Sequence, residues 1–276
     1  MSPLVVCLVI CIAVIVATWL LSVVTHECSW VDRIWSIVPV AYAWVFTVAS
    51  GFDARLVVMA LLVTLWGIRL TFNFARKGGY APGGEDYRWA VLRQRMSPAT
   101  FQVFNLLFIS IFQNALILLF CLPAYTVFAS PGEAFGAWDV VLALLFLGLL
   151  AGETVADQQQ WAFHRWKAAE RSAGRVPEPG FLQTGLFRYS RHPNFFFEQA
   201  QWWVFYGFAI AATGVWLHWT VAGALLLTLL FIGSTRLTES ISRSKYPEYD
   251  AYRARTSAIV PWLPKRPVAA AGERIA

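Results

Sequence analysis

The sequence predicts an all-α protein, a polytopic membrane bundle of about seven transmembrane helices; composition, apolar runs and loop charge each favour this class. Hydrophobic residues make up 58% of the 276 residues, and charged residues make up only 14%. Soluble domains carry about 25% charged residues, so this chain has too few to cover a globular surface. We therefore expect an integral membrane protein surrounded by membrane lipids.

Seven apolar runs set the expected number of spans, because a helix needs about 20 apolar residues to cross the hydrocarbon core of a bilayer. The second and sixth runs are short or have polar edges, so a count of six stays open beside seven. The runs lie at 3–25, 34–50, 55–75, 101–128, 138–163, 196–214 and 216–235.

Basic residues predict the orientation of the bundle. They concentrate in 76–95, in 164–192 and after residue 235, whereas 129–137 contains none. Cytoplasmic loops carry an excess of Lys and Arg, so seven spans with an external N-terminus and a cytoplasmic C-terminus place all three basic segments in the cytoplasm. Since these charges lie between apolar runs, the net charge of +6 requires no nucleic-acid partner.

Ionisable side chains interrupt several predicted spans, where they are costly and usually functional. Glu153 and Asp157 are four residues apart and therefore share a helix face, and His164 roughly continues their stripe. Glu198 lies at the start of the sixth span and Arg69 within the third. Such groups can also pair with one another to hold a bundle together. We favour function for the three carboxyl groups and leave both interpretations open for Arg69.

The stretch LFRYSRHPNFFFEQAQWW, 186–203, predicts an anion site at the start of a helix. Pro193 suits a first helical turn, where free N–H groups and the positive end of the helix dipole attract anions. Arg188, Arg191 and His192 precede it and are suited to binding a phosphate or a carboxylate. The alternative is a basic patch at the membrane surface with an aromatic belt.

Two further polar residues favour the ligand interpretation of this stretch. Asn194 and Glu198 enter the bilayer on a mostly aromatic helix, which a surface patch does not explain. They could bind hydroxyl groups or an amide, beside aromatic rings that form a flat slot.

The segment 235–262, TRLTESISRSKYPEYDAYRARTSAIVPW, would complete this anion site. Tyr246, Tyr249 and Tyr252 recur at a spacing of three residues. An interfacial helix with anchoring aromatic residues explains this periodicity at least as well. The chain contains no GxGxxG motif, P-loop or zinc-ligand spacing, so we expect neither a soluble nucleotide domain nor a metal site.

These motifs together resemble a known family. GLFRYSRHPNFFFEQ, preceded by GETVADQQQWAFHR and followed by ESISRSKYPEYDAYRARTSAIVPW, resembles the steroid 5-alpha reductase superfamily, in particular its bacterial DUF1295 branch of membrane proteins. SWVDRIWSI, LWGIRLTFNFARKGG and EDYRWAVLR extend the resemblance over most of the chain. It implies a seven-helix enzyme that uses NADPH to reduce a carbon–carbon double bond conjugated to a carbonyl in a steroid-like or other lipid substrate. It also implies a bacterial inner-membrane protein whose cofactor site faces the cytoplasm.

The resemblance assigns residues as well. It implies a single membrane domain over 1–266, with the cofactor bound by the C-terminal half at about 138–262, and we expect 267–276 to form a flexible tail. Together with the predicted anion site, the expected cofactor-binding residues are Glu153, Asp157, His164, Arg188, Tyr189, Arg191, His192, Asn194, Glu198, Arg236, Glu239, Tyr246 and Tyr249.

The substrate side departs from the family pattern. Animal-type steroid reductases use a Gln-Glu pair on the second span and a Tyr on the third, but DRIWSIVPVAYAW and WGIRLTF contain neither. Asp32 and Arg69 occupy nearby polar positions and Tyr87 is the nearest phenol, so we expect these three to be the catalytic residues, with Asp32 or Tyr87 as the proton donor.

Two other functions stay open. The RHPN stretch also resembles isoprenylcysteine carboxyl methyltransferases, which use S-adenosylmethionine. The missing Gln-Glu pair and Tyr are compatible with a lipid-binding protein that has no catalytic activity. GETVADQQ together with EDYRW favours the reductase.

Overall fold

The computed structural model describes residues 1–130 and 132–265, and these residues are predominantly helical. Within these ranges there is no strand, only an isolated parallel bridge between Ser190 and Ser257. The predicted all-α class is therefore confirmed for the described part of the chain. The predicted tail, 267–276, lies outside the described residues.

The described residues form a succession of α-helices with two other helical segments between them. A π-helix, Asn105–Phe112, follows α6, and a 3₁₀-helix, Gly185–Arg188, precedes α10. The α-helices are α1 Pro3–Thr25, α2 Trp30–Ile34, α3 Val38–Ala49, α4 Ala54–Arg76, α5 Tyr87–Arg95, α6 Pro98–Phe104, α7 Gln113–Cys121, α8 Pro123–Ala129, α9 Ala137–Ser172, α10 Pro193–Thr213, α11 Val221–Lys245 and α12 Tyr249–Arg255.

Six helical segments of the described chain are long and apolar enough to cross a membrane, which is compatible with an integral membrane protein. The helix α10 is not among them, because Asn194, Glu198, Gln199 and Gln201 make its first half polar. A seventh span and the orientation stay predictions. The six segments are Pro3–Thr25, Trp30–Ala49, Ala54–Arg76, Pro98–Cys121, Ala137–Ser172 and Val221–Lys245.

The helix of the last apolar run, predicted at 216–235, begins later than expected, at Val221. A turn precedes α11, in which Gly214 has a φ of +68° and the N–H of His218 donates to Tyr206 Oη at 2.8 Å. The helix then continues to Lys245, well past the apolar residues. Hydropathy finds the part of a helix that lipid can cover, whereas the helix itself ends where its backbone hydrogen bonds end.

The helix α9 is also longer than its apolar run. Its 36 residues span about 54 Å, compared with a hydrocarbon core of about 30 Å. Its C-terminal turns therefore extend beyond the apolar run and carry charged and amide side chains.

Contacts divide the chain into two compact units. Among the described residues, the first comprises Met1–Leu150 and Gln199–Leu230, and the second comprises Ala151–Glu198 and residues 231–265. Every predicted cofactor-binding residue belongs to the second unit, and the three predicted catalytic residues belong to the first.

A close helix pair and an aromatic cluster organise the first unit. A Cβ atom at Gly67 of α4 would lie 2.6 Å from the carbonyl oxygen of Ser36, so only glycine allows this approach. The Trp66 and Trp202 rings meet edge to face at 5.0 Å, and the Phe120 ring lies 4.1 Å from that of Trp202. These rings are buried and supply much of the packing of this unit.

A buried ion pair fixes the start of α4 in the first unit. Arg55 donates to both carboxylate oxygens of Asp139, at 2.6 and 2.9 Å, and to the carbonyl oxygens of Glu133 and Ala134. Both charged side chains are almost fully buried. A bidentate pair whose remaining donors are also satisfied is the arrangement in which a buried charge is tolerated.

Candidate functional site

Three helices of the second unit pack around the phenylalanines at the start of α10. A Cβ atom at Gly152 of α9 would lie 2.5 Å from the Phe197 ring, so this ring fills the space that the glycine leaves. The Phe195 ring meets the Phe231 ring of α11 edge to face at 4.8 Å. The sequence neighbours of these aromatic residues therefore lie where α9, α10 and α11 meet.

Three of the predicted cofactor-binding residues are buried carboxyl groups of this unit. Glu153 and Asp157 on α9 and Glu198 on α10 have only 4%, 5% and 5% of their surface exposed. Each interacts with a neighbouring group. Burial of a charged group is expensive unless it is paired, so these side chains belong to a polar interior and do not face lipid.

Three basic side chains surround the carboxylate of Glu239 on α11. Arg191 Nε donates to Oε1 at 2.6 Å, Arg253 Nε donates to Oε2 at 2.9 Å, and His192 Nε2 lies 3.4 Å from Oε1. Arg191 also donates to the carbonyl oxygens of Arg253 and Thr256. The structure thus brings together three predicted ligand contacts, Arg191, His192 and Glu239; Arg191 and Glu239 are hydrogen-bonded to one another, whereas the buried His192 Nε2 has no hydrogen bond to the described part of the chain. A direct phosphate contact by Arg191 stays a prediction that competes with Glu239.

The loop before α10 is held by the C-terminal strap, which we define as residues 257–265. The N–H of Arg191 donates to the carbonyl oxygen of Ser257 at 2.8 Å, and that of His192 donates to Ala258 at 3.1 Å. These bonds fix the backbone directly before α10. They therefore give the first residues of that helix a defined position.

The tyrosine-rich segment packs inward. The Phe181 ring lies 5.6, 4.9 and 5.3 Å from the rings of Tyr246, Tyr249 and Tyr252. Burial raises the pKa of Tyr249 to about 12, so this phenol stays neutral at physiological pH. Tyr246 Oη accepts a hydrogen bond from Lys167 Nζ at 2.9 Å. The helix α12 of only seven residues thus buries two of these tyrosines, which an interfacial anchor would expose.

The other predicted contacts lie at the surface of the second unit. His164, Arg188, Tyr189 and Arg236 are exposed. Neither Arg188 nor Arg236 forms an ion pair with another described residue. Asn194 is partly exposed, and its amide has no hydrogen bond to the described part of the chain. These two arginines and this asparagine have donors available for an external ligand.

In the first unit, Asp32 is held by a residue of α5. Trp89 Nε1 donates to Asp32 Oδ2 at 2.9 Å, and the N–H of Asp86 donates to Ser29 Oγ at 3.0 Å. Tyr87 is the first residue of α5 and is 49% exposed. The structure therefore places Tyr87 two residues from the tryptophan that binds Asp32.

The third predicted catalytic residue, Arg69, lies on α4. Gly67 and Thr71 face Ser36, which lies 2.7 Å from Thr71 between the hydroxyl oxygens. Residues two apart on a helix point in different directions, so Arg69 lies on another face of α4. A catalytic role for Arg69 stays a prediction.

Sequence reasoning missed two residues of these sites. Trp89 lies in the quoted motif EDYRW, but a hydrogen bond to a carboxylate 57 residues away leaves no local signal. Lys167 was counted as one basic residue of a cytoplasmic loop, yet it lies on α9 and is buried.

The fold and the site define a helical protein compatible with the membrane, with a polar interior in its second unit. The family model described as "Protein of unknown function (DUF1295)" matches residues 18–256, and the chain belongs to this family. An uncharacterized protein of Schizosaccharomyces pombe is 42% identical over 264 residues, which cover 89% of this chain and 76% of the relative. No solved structure matches the chain. The predicted DUF1295 membership is confirmed.

Proposed function

We propose that this protein is a membrane-embedded reductase that uses NADPH to reduce a carbon–carbon double bond conjugated to a carbonyl in a steroid-like or other lipid substrate. One observation carries the proposal. The second unit combines buried carboxyl groups with three side chains that have no described partner, Arg188, Asn194 and Arg236. The motifs that resemble the steroid 5-alpha reductase superfamily lie in the same unit. We place this protein in a bacterial inner membrane with the cofactor site facing the cytoplasm.

These residues fit the chemical groups of a dinucleotide phosphate. The guanidinium groups of Arg188 and Arg236 suit phosphate oxygens, because a guanidinium binds them through two parallel hydrogen bonds. The N–H groups at the start of α10 favour negative charge. Asn194, Glu153 and Glu198 can bind hydroxyl and amide groups. When bound, NADPH supplies the hydride.

We propose Asp32 as the acid. Asp32, oriented by Trp89, would bind the carbonyl oxygen of the substrate and stabilise the negative charge that develops there. The carboxyl group would then donate its proton to that oxygen, and the resulting enol tautomerises to the saturated carbonyl compound. Such proton transfer accelerates a reaction by a factor of about 10²–10⁴. Tyr87 is the alternative donor.

A methyltransferase that uses S-adenosylmethionine is the second candidate, and the buried carboxyl groups favour it specifically. The sulfonium of that cofactor is a cation, which Glu153, Asp157 and Glu198 would attract. S-adenosylmethionine carries no phosphate, so Arg188 and Arg236 would have no phosphate group to bind.

Cofactor capture separates these functions. The protein would be purified in a neutral detergent, examined for bound molecules by mass spectrometry and absorbance, and titrated with NADPH and with S-adenosylmethionine. We expect binding of NADPH alone. Binding of S-adenosylmethionine alone would overturn the reductase, and binding of neither would favour a lipid-binding protein without catalytic activity.

A further inference from the structure

A second basic site lies at the far end of α9, away in sequence from the start of α10. A cavity of about 270 Å³ opens there within the second unit. Three of its lining residues are basic and two others form an apolar wall. The lining residues are Lys167, Arg171, Arg175, Val176, Pro177, Gly180 and Tyr246.

Lys167 is the buried charge of this cavity. Only 7% of its surface is exposed, and its ammonium donates to the carbonyl oxygen of Gly180 and to Tyr246 Oη. Both acceptors are neutral, and no carboxylate of the described chain forms an ion pair with it. The ammonium also lies 5.6 Å from the Phe163 ring and 5.2 Å from the Tyr246 ring, but only two of its three donors have a hydrogen-bonded acceptor in the described chain. A buried charge without a counter-ion is expensive, which favours an anion in the cavity.

The two guanidinium groups at the cavity add positive charge. Arg171 is exposed and has no ion pair with another described residue. Arg175 Nε pairs with Glu170 at 2.5 Å, which offsets one positive charge. Lys167 and Arg171 therefore leave two positive charges without a counter-ion. A doubly charged anion would balance them.

We propose that this cavity binds a phosphate monoester group, carried either by a soluble molecule or by a lipid headgroup. A guanidinium fork and an ammonium together match the geometry and charge of a phosphate. Val176 and Pro177 line an apolar side against which the carbon part of the ester can lie. The volume is below the range of about 300–1,000 Å³ that pockets for drug-sized ligands occupy, so the cavity suits a headgroup or a small phosphorylated molecule. Of its lining residues, Tyr246 also belongs to the predicted cofactor-binding set, whereas the three basic residues do not.

Phosphate binding by the full chain tests the proposal. Broadening of the phosphorus NMR signal of inorganic phosphate would be measured for the protein in neutral detergent, without NADPH. Native mass spectrometry would count phosphatidic acid bound from phosphatidylcholine vesicles that contain it. Binding in the first arm identifies a soluble source, and binding in the second alone identifies a lipid headgroup.

Matched variants locate the binding. Arg171→Gln should weaken it by about tenfold, since it removes charge-assisted hydrogen bonds from an exposed side chain that the fold does not use. Lys167→Met should abolish it, as checked on protein whose circular dichroism is unchanged. Arg165→Gln is the control, because Arg165 is exposed on the same helix but does not line the cavity. No binding in either arm, or equal binding by the Arg171 and Arg165 variants, would overturn the proposal.

Discussion

Replacing Glu239 by glutamine is expected to lower the free energy of unfolding by about 3 kcal/mol. The carboxylate pairs with Arg191 and Arg253, and the Arg191 side chain is only 9% exposed. Glutamine keeps the shape but removes the charge, so a nearly buried guanidinium loses its counter-ion. Thermal unfolding of the detergent-solubilised protein, followed by circular dichroism, measures the loss.

A surface pair provides the control for this prediction. Asp250 pairs with Arg243 and Arg253 in an exposed arrangement, so Asp250→Asn should leave the unfolding midpoint nearly unchanged. In a double-mutant cycle, Glu239→Gln should cost less in a background that already carries Arg191→Gln. Equal costs in both backgrounds would show that the two side chains do not stabilise one another.

Asp32→Asn is expected to reduce turnover by about 10²–10⁴ while the affinity for NADPH stays unchanged. The amide oxygen can still accept the hydrogen bond from Trp89, so the local structure should persist. It no longer carries an acidic proton. The measurement is the loss of NADPH absorbance with a steroid enone or a fatty acyl enone as the probe.

A phenol variant completes this test. Near-normal turnover by Asp32→Asn would rule out the carboxyl group as the donor. Loss of turnover in Tyr87→Phe alone would assign the proton to the exposed phenol at the start of α5. Trp89→Phe should reduce turnover less than Asp32→Asn, because it removes only the hydrogen bond that orients the carboxylate.

The helical class and most of the apolar helices could be predicted from the sequence, because hydropathy depends on residues that are neighbours in the chain. The run at 3–25 coincides with the helix Pro3–Thr25. The start of α11 at Val221 could not be predicted in this way, because the turn before it includes a hydrogen bond from the His218 N–H to Tyr206 Oη on the preceding helix. The sequence indicates how apolar a segment is. It does not indicate which side chain of another helix contacts the turn before it.

The candidate site shows the same division. Charge singled out Arg191 and the family resemblance implied Glu239, but their pairing across 48 residues required the fold. The sequence placed Lys167 in a basic loop. In the structure it lies on the long helix α9 and donates to the carbonyl oxygen of Gly180. The motifs thus locate the polar residues, and the structure separates those that are satisfied internally from those available to a ligand.

Titration of NADPH onto the purified protein and its Asn194→Ala variant tests the central claim most directly. Asn194 has no described hydrogen-bond partner, so its loss should leave folding intact and weaken NADPH binding by about tenfold or more. Gln102→Ala is the matched control, since Gln102 is an exposed amide of the first unit, which holds none of the predicted cofactor-binding residues. We expect unchanged NADPH affinity for that control. Equal NADPH affinity in Asn194→Ala and the parent protein, or no binding by either, would contradict it.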